Sequence, residues 1–119
     1  MNGMEVFHFA TQTVCKQVQA LCRHTNVDFE NIDYFIFHQA NALTNKYTQK
    51  ELSLPTQKCP LSLHDWGNTS SASIPITLIS ACHKIVAKKT LTFLFCGFGA
   101  GTSWGSCLIT CKPFVCVPA

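Results

Sequence analysis

Residues 33–41 read DYFIFHQAN: Tyr34 to Phe37 form an unbroken apolar run that ends in His38, Gln39 and Asn41. An amphipathic strand would alternate apolar and polar side chains, and this run does not. It predicts a strand over 33–37 buried on both faces, the signature of a strand inside a sheet that carries helices on each side. Such a strand delivers His38 at its end. Functional groups gather at strand ends in open α/β sheets, although a lone histidine there is equally compatible with a satisfied structural group.

The flanking segments fit that sheet. Before it, NGMEVFHFATQTVCKQVQALCRHT reads as one helix. Asn2 and Glu5 are spaced as a capping box, and Phe7, Ala10, Val14, Val18 and Leu21 share a face. NVDFENID is a turn region with room for one helical turn. After the strand, NALTNKYTQKELS reads as a second helix capped by Asn41. Leu43, Tyr47 and Leu52 are expected to face inward, and Lys46 and Lys50 outward. KCPLSL is expected as a short irregular strand and HDWGNTSSASIP as a loop. SASIPITLISACHKIVAKK follows as a third helix, starting between Ser71 and Ile74 because Pro75 is tolerated only in a first turn. Its inner side is expected at Ile74, Leu78, Ala81 or Cys82, and Ile85. Lys84, Lys88 and Lys89 would complement the dipole at its end. TLTFLFC and TSWGSCLITC flank the loop GFGAG and read as an antiparallel hairpin. The predicted order is α-β-α-β-α-β-β in one α/β domain spanning 1–112, with an atypical tail over 113–119.

Composition narrows the function. The 119 residues suit one domain with a modest core, and 47% are hydrophobic against only 13% charged. So little charge points to an apolar surface meant for a partner. A net charge of +3 is too small and scattered to argue for nucleic acid. No run is long enough to cross a membrane, and the opening MNGMEVFHFATQ lacks the pattern of a secretory signal, so a cytoplasmic location is expected. The eight cysteines show no CxxC spacing and have mostly apolar neighbours. They predict buried reduced thiols rather than disulfides or a zinc site.

Three stretches hold chemistry-bearing residues: HQAN, WGNTSSASIP and GFGAG. The glycine run is followed by a strand pattern and lacks a Lys-Ser/Thr step, which disfavours a nucleotide loop. It fits either a tight hairpin or a loop presenting a backbone N–H to an oxyanion. Asn68 suits a turn, and Ser70, Ser71 and Ser73 suit the start of a helix.

NGMEVFHFA, IDYFIFHQAN, GNTSSASIP and GFGAGTSWGS occur in this order and at fitting separations. Together they resemble the C-terminal half of β-ketoacyl-acyl carrier protein synthase III, a condensing enzyme of the thiolase superfamily, over residues 2 to 110. The resemblance implies a thiolase-like half-domain with a mixed sheet and helices packed on its faces. It implies decarboxylative condensation of an acyl thioester with malonyl-acyl carrier protein in fatty-acid or polyketide-type biosynthesis, without cofactor or metal. His38 and Asn68 would be catalytic donors to the enolate. The Ala100 N–H would belong to the oxyanion hole, and Phe98 would line the site. Gln39, Ala40, Asn41, Ala42 and Leu43 would meet acyl carrier protein.

The chain departs from that family in three ways, one of them the tail over 113–119. The half that bears the nucleophilic cysteine is missing, so the chain alone is expected to be inactive. Cys82 in SACHKI does not fill the role, lying deep in a helix rather than at its start. Leu43 stands where relatives often carry a docking arginine, which leaves Lys46 and Lys50 as replacements or as an ordinary solvated face. The expected partners are acyl-CoA and malonyl thioesters, acyl carrier protein, and the missing half in cis or in trans, with a homodimer in the full enzyme. The competing reading is a non-catalytic partner subunit of a synthase heterodimer.

Overall fold

The computed structural model describes residues 3–99 and 103–118; for residues 3, 6 and 9–11 it describes the backbone alone. The expected cap at Asn2, the burial of Ala10 and the backbone donor at Ala100 lie outside the described part.

A three-stranded mixed sheet in the order β1-β2-β3 forms the centre. Strand β1 (Tyr34–Phe37) runs parallel to β2 (Leu91–Gly99), with Tyr34 opposite Phe93 and Phe37 opposite Cys96. Strand β3 (Ser103–Cys111) returns antiparallel to β2, pairing Leu91 with Cys111 and Gly99 with Ser103. Successive side chains point to opposite faces, so the apolar run of β1 feeds two cores. On one face, Phe35, Phe37, Leu94 and Cys96 pack with Val14, Cys15, Val18 and Cys22. On the other, Ile36, Leu91 and Phe93 pack with Cys82 and Val86. The mixed sheet with helices on it agrees with the fold class expected from sequence.

The first helical stretch is not uniform. Helix α1 (Gly3–Phe9) passes through a π-helical turn, Ala10–Val14, into α2 (Cys15–Thr25). The wide turn shifts the helical phase, so Val14 and Cys15 are both buried beside Val18 and Cys22. A 3₁₀ turn at Phe29–Asn31 occupies the expected turn region. Helix α3 (Ala42–Glu51) is capped as predicted: Asn41 Oδ1 accepts the Thr44 N–H at 2.8 Å. Its inner face differs from expectation. Leu52 is buried, but Leu43 is 69% and Tyr47 41% exposed, while Thr44, Asn45 and Thr48 are buried. The polar residues turn inward because this helix packs toward the end of β1, where Asn45 Nδ2 donates to His38 O at 3.1 Å.

KCPLSL is not a strand. A 3₁₀ turn (Thr56–Lys58) leads into it, Pro60 has no N–H to offer a ladder, and the Ser62 N–H is taken by Gln39 Oε1 at 3.0 Å. The next loop holds a short helix, α4 (Leu63–Trp66), and a 3₁₀ turn, Ser70–Ala72. Helix α5 (Ser73–Cys82) begins where Pro75 required but ends seven residues before Lys89 (89 − 82 = 7). Turns continue past its end, with Val86 N–H on Cys82 O at 3.0 Å and Lys89 N–H on Ile85 O at 3.3 Å, and Phe114 N–H donates to Val86 O at 2.9 Å. Lys84 and Lys88 sit in those turns and Lys89 at the bend after them. On α5, Ile74 and Leu78 pack against the core and Cys82 is buried, while Ala81 is exposed. The fully buried polar positions are Ser73 and Thr77.

The tail is not loose. Phe114 and Cys116 pack onto the α5 side of the sheet, and Pro118 joins Trp66, Ile76, Ile79 and Ser80 around an apolar groove of about 280 Å³. All eight thiols are free, five of them buried. No helix among the described residues is long and apolar enough to cross a membrane.

Candidate active site at the end of the parallel strands

His38 follows β1 directly, and its N–H donates to Cys96 O at 2.8 Å, extending the parallel ladder by one bond. The backbone is thus fixed where the side chain leaves the sheet. The imidazole is half-buried, and burial lowers its pKa from the ordinary value of 6.5. A neutral ring at neutral pH follows. Nδ1 lies 2.6 Å from Ser73 Oγ. Phe98, two residues past Cys96 on β2, meets the ring edge to face, with centroids 5.3 Å apart and planes at 84°.

Asn68 arrives from the loop before α5. Gly67, at φ 66° and ψ −158°, makes the turn that presents it. Such angles are essentially confined to glycine. Asn68 Oδ1 accepts the Ser70 N–H at 2.9 Å, which leaves its amide nitrogen to point away from its own loop. Nδ2 donates to Ala40 O at 3.4 Å, two residues past His38. The structure therefore brings the HQAN and GNTS segments together and stacks Phe98 against the first. Asn68 is exposed. An amide carries two N–H donors, so one remains beyond the contact with Ala40.

Gln39 is a correction. Expected on the carrier-protein surface, it is fully buried. Its Nε2 donates to Phe37 O at 2.8 Å and its Oε1 accepts from Ser62 N. Its side chain braces the loops on either side of it. Ala40 is half-buried, whereas Asn41, Ala42, Leu43, Lys46 and Lys50 are exposed. Asn41 spends its side-chain oxygen on the helix cap.

The glycine stretch is also shorter as a loop than expected. Gly97, Phe98 and Gly99 belong to β2, and Ser103 opens β3. No helix N-terminus follows the glycines, so the nucleotide-loop alternative has no anion-binding helix end there.

The thiols offer no nucleophile near this site. Cys82 is fully buried at the end of α5, and burial pushes it up to about 11. Burial, with Glu51 and Cys96 adding to it, pushes Cys15 up to about 11. Cys96 is likewise raised to about 11 by burial, against a lowering by its bond with Ser106. Such thiols stay protonated at neutral pH and are poor nucleophiles. No group of three or more His, Cys, Asp and Glu among the described residues could hold a metal.

His38 and Asn68 both come to the end of β1, and each carries a nitrogen that can donate. Donors held this way favour an oxygen that gains negative charge. The partners beneath them were not read from sequence. Ser73, Ser62 and Thr77 looked like helix-start and packing residues. The usable signal was the polar pair Ser73 and Thr77, four apart on a helix whose one other polar side chain is Ser80.

The profile of the family described as 3-oxoacyl-[acyl-carrier-protein] synthase III C-terminal matches residues 22–111. β-Ketoacyl-[acyl-carrier-protein] synthase III of Clostridium perfringens is 39% identical over 109 residues, covering 92% of this chain and 34% of that protein. The Campylobacter jejuni protein of the same name is 38% identical over 109 residues, with the same coverage of each. Among solved structures, 3-oxoacyl-(acyl-carrier protein) synthase from Burkholderia xenovorans superposes with a TM-score of 0.94 at 34% identity, over 99% of this chain and 34% of that one. The synthase III of Thermus thermophilus gives 0.87 at 31% identity, over 96% and 36%. This chain thus spans about a third of the length of the relatives it matches. With the sheet, the histidine strand end and the asparagine loop all in place, the chain belongs to the 3-oxoacyl-[acyl-carrier-protein] synthase III C-terminal family.

Proposed function

We propose that this chain is the C-terminal part of a decarboxylating condensing enzyme that acts on acyl thioesters and malonyl-acyl carrier protein in the cytoplasm. One observation carries the reading. His38, at the end of β1 with Nδ1 on Ser73 and its ring against Phe98, is neutral, and the Asn68 amide reaches Ala40 O two residues on.

The chemistry divides between two parts of the whole protein. In the part beyond this chain, a cysteine thiolate attacks an acyl thioester and releases the carrier thiol. A malonyl thioester then loses CO₂, and the electron pair of the broken C–C bond moves onto the thioester oxygen. His38 Nε2–H and the Asn68 amide hold that enolate oxygen. The enolate carbon next attacks the acyl-cysteine, whose oxyanion is met by backbone donors including the Ala100 N–H, and the cysteine thiolate leaves. Each enolate donor contributes roughly a hundredfold in rate or more. The exposed side of α3, with Leu43, Lys46 and Lys50, faces acidic carrier protein, while Phe98 closes the site against His38.

The reading has two tests. Incubated with acyl-CoA, this chain should show no acyl adduct by intact mass, and an adduct on any cysteine would overturn the assignment of the nucleophile elsewhere. Grafted in place of the matching third of the C. perfringens relative, it should support condensation that His38→Ala and Asn68→Ala each reduce about a hundredfold. A folded chimera indifferent to both substitutions would refute the roles given to these residues. A complementary polypeptide supplied in trans is the second reading. It is favoured by the apolar outer side of α5, and co-purification of such a polypeptide would support it.

A further inference from the structure

Ser73 is 1% exposed and lies within reach of two groups. Its Oγ sits 2.6 Å from His38 Nδ1 and 3.3 Å from Gln39 N. The backbone N–H of Gln39 can only donate, so the serine oxygen accepts there. The hydroxyl proton then needs an acceptor. Among the described residues, Nδ1 of His38 is the one at hydrogen-bond distance. A ring nitrogen that accepts carries no proton. In a neutral imidazole the proton must then be on the other nitrogen, Nε2. The reverse assignment, Nδ1–H donating to Oγ, would strand a buried hydroxyl proton.

We propose that Ser73 is a positioning residue for His38, fixing the ring as the Nε2–H tautomer and holding its plane. The serine is itself held. Thr77 Oγ1, four residues on, lies 2.7 Å from Ser73 O as donor and 2.7 Å from Ser62 Oγ. Ser62 N–H donates to Gln39 Oε1, and Gln39 Nε2 to Phe37 O. The chain of bonds leaves the histidine through Ser73 and returns to the backbone one residue before it. Thr77 and Gln39 are fully buried and Ser62 nearly so. Rotating the serine hydroxyl away would break a satisfied buried network, which is costly in a low-dielectric setting. The lowered pKa of His38 keeps the ring in the neutral form that this arrangement needs.

The catalytic value of this tautomer rests on the enolate role proposed above; the tautomer itself does not. Long-range ¹H–¹⁵N correlation spectra of the labelled chain, at a pH above the His38 titration, read it directly. The native chain should show a protonated Nε2 and an unprotonated Nδ1. Ser73→Ala should shift both ring nitrogens toward the averaged values of exchanging tautomers, with the backbone amide spectrum reporting that the fold persists. A native ring protonated at Nδ1 overturns the proposal, whether or not the variant folds. So does a folded Ser73→Ala chain with unchanged ring shifts. In the chimera, Ser73→Ala should lower kcat about ten- to a hundredfold with KM little changed. Loss of activity in the parent chimera would count against the enolate reading while leaving the tautomer result standing.

Discussion

The two helices that cover the sheet, α2 and α5, make an instructive pair. Helix α2 buries Cys15, Val18 and Cys22 and exposes Lys16, Gln19, Arg23 and His24. It has one face for the core and one for water. Helix α5 has no charged residue. It buries Ser73, Thr77 and Cys82 while its outer side carries Pro75, Ile76, Ile79 and Ala81. A helix apolar on its outside and polar at its deepest points is the inverse of a surface helix. The inner hydroxyls connect to His38 through Ser73, and the outer side is largely apolar.

The comparison breaks first on the α2 side, where the chain closes its own core. Phe35 is fully buried beneath α2, and Phe35→Ala should cost about 3–5 kcal/mol in urea unfolding. A loss below half of that would mean the core collapses around the gap. The same side holds most of the buried thiols. Cys59, the highest, is pushed up to about 12 by burial, with Cys15, Cys82 and Cys96 at about 11, against an ordinary 9.0. The folded state favours the protonated form, so their contribution is full below about pH 9. It should fall away as the pH rises toward about 11, read as a declining thermal midpoint under reducing conditions. A flat midpoint over that window would mean the thiols are hydrated.

On the α5 side the expected effects are smaller and of another kind. Thr77→Val keeps the shape but strands the Ser62 hydroxyl, at about 1–3 kcal/mol. An unaffected variant would show that water enters this polar layer. Ile79→Lys on the outer side should change unfolding free energy by no more than about 0.5 kcal/mol. Its effect should appear instead as reduced self-association in sedimentation. If it destabilised the chain as Phe35→Ala does, the outer side of α5 would be core and the contrast between the helices would vanish.

How legible this was depended on what each residue's pattern encodes. Strand β1, the cap at Asn41 and the β2–β3 pairing follow from apolar continuity, one side-chain oxygen and a glycine-rich reversal, all local signals. The π turn carries no such mark, since Phe7, Val14 and Val18 also fit an unbroken helix. Leu43 and Tyr47 misled because apolar character was equated with burial; here the buried face of α3 is set by Asn45 meeting His38 O. The bond from Phe114 N–H to Val86 O ties the tail to the turns after α5 across 28 residues (114 − 86 = 28), and no local window contains both. His38 and Asn68 were singled out through their motifs. Ser73 was visible only once the distance to Nδ1 was known.

Gly67 carries a last consequence. An added Cβ would meet nothing within 4 Å, so space does not dictate glycine there. The angles φ 66° and ψ −158° do. Their mirror image is the extended polyproline region that any L-residue visits freely. A D-alanine placed at 67 by chemical ligation would thus find its preferred backbone, where L-alanine would be strained by about 1–3 kcal/mol and would re-aim Asn68. The turn before the asparagine specifies chirality, not size.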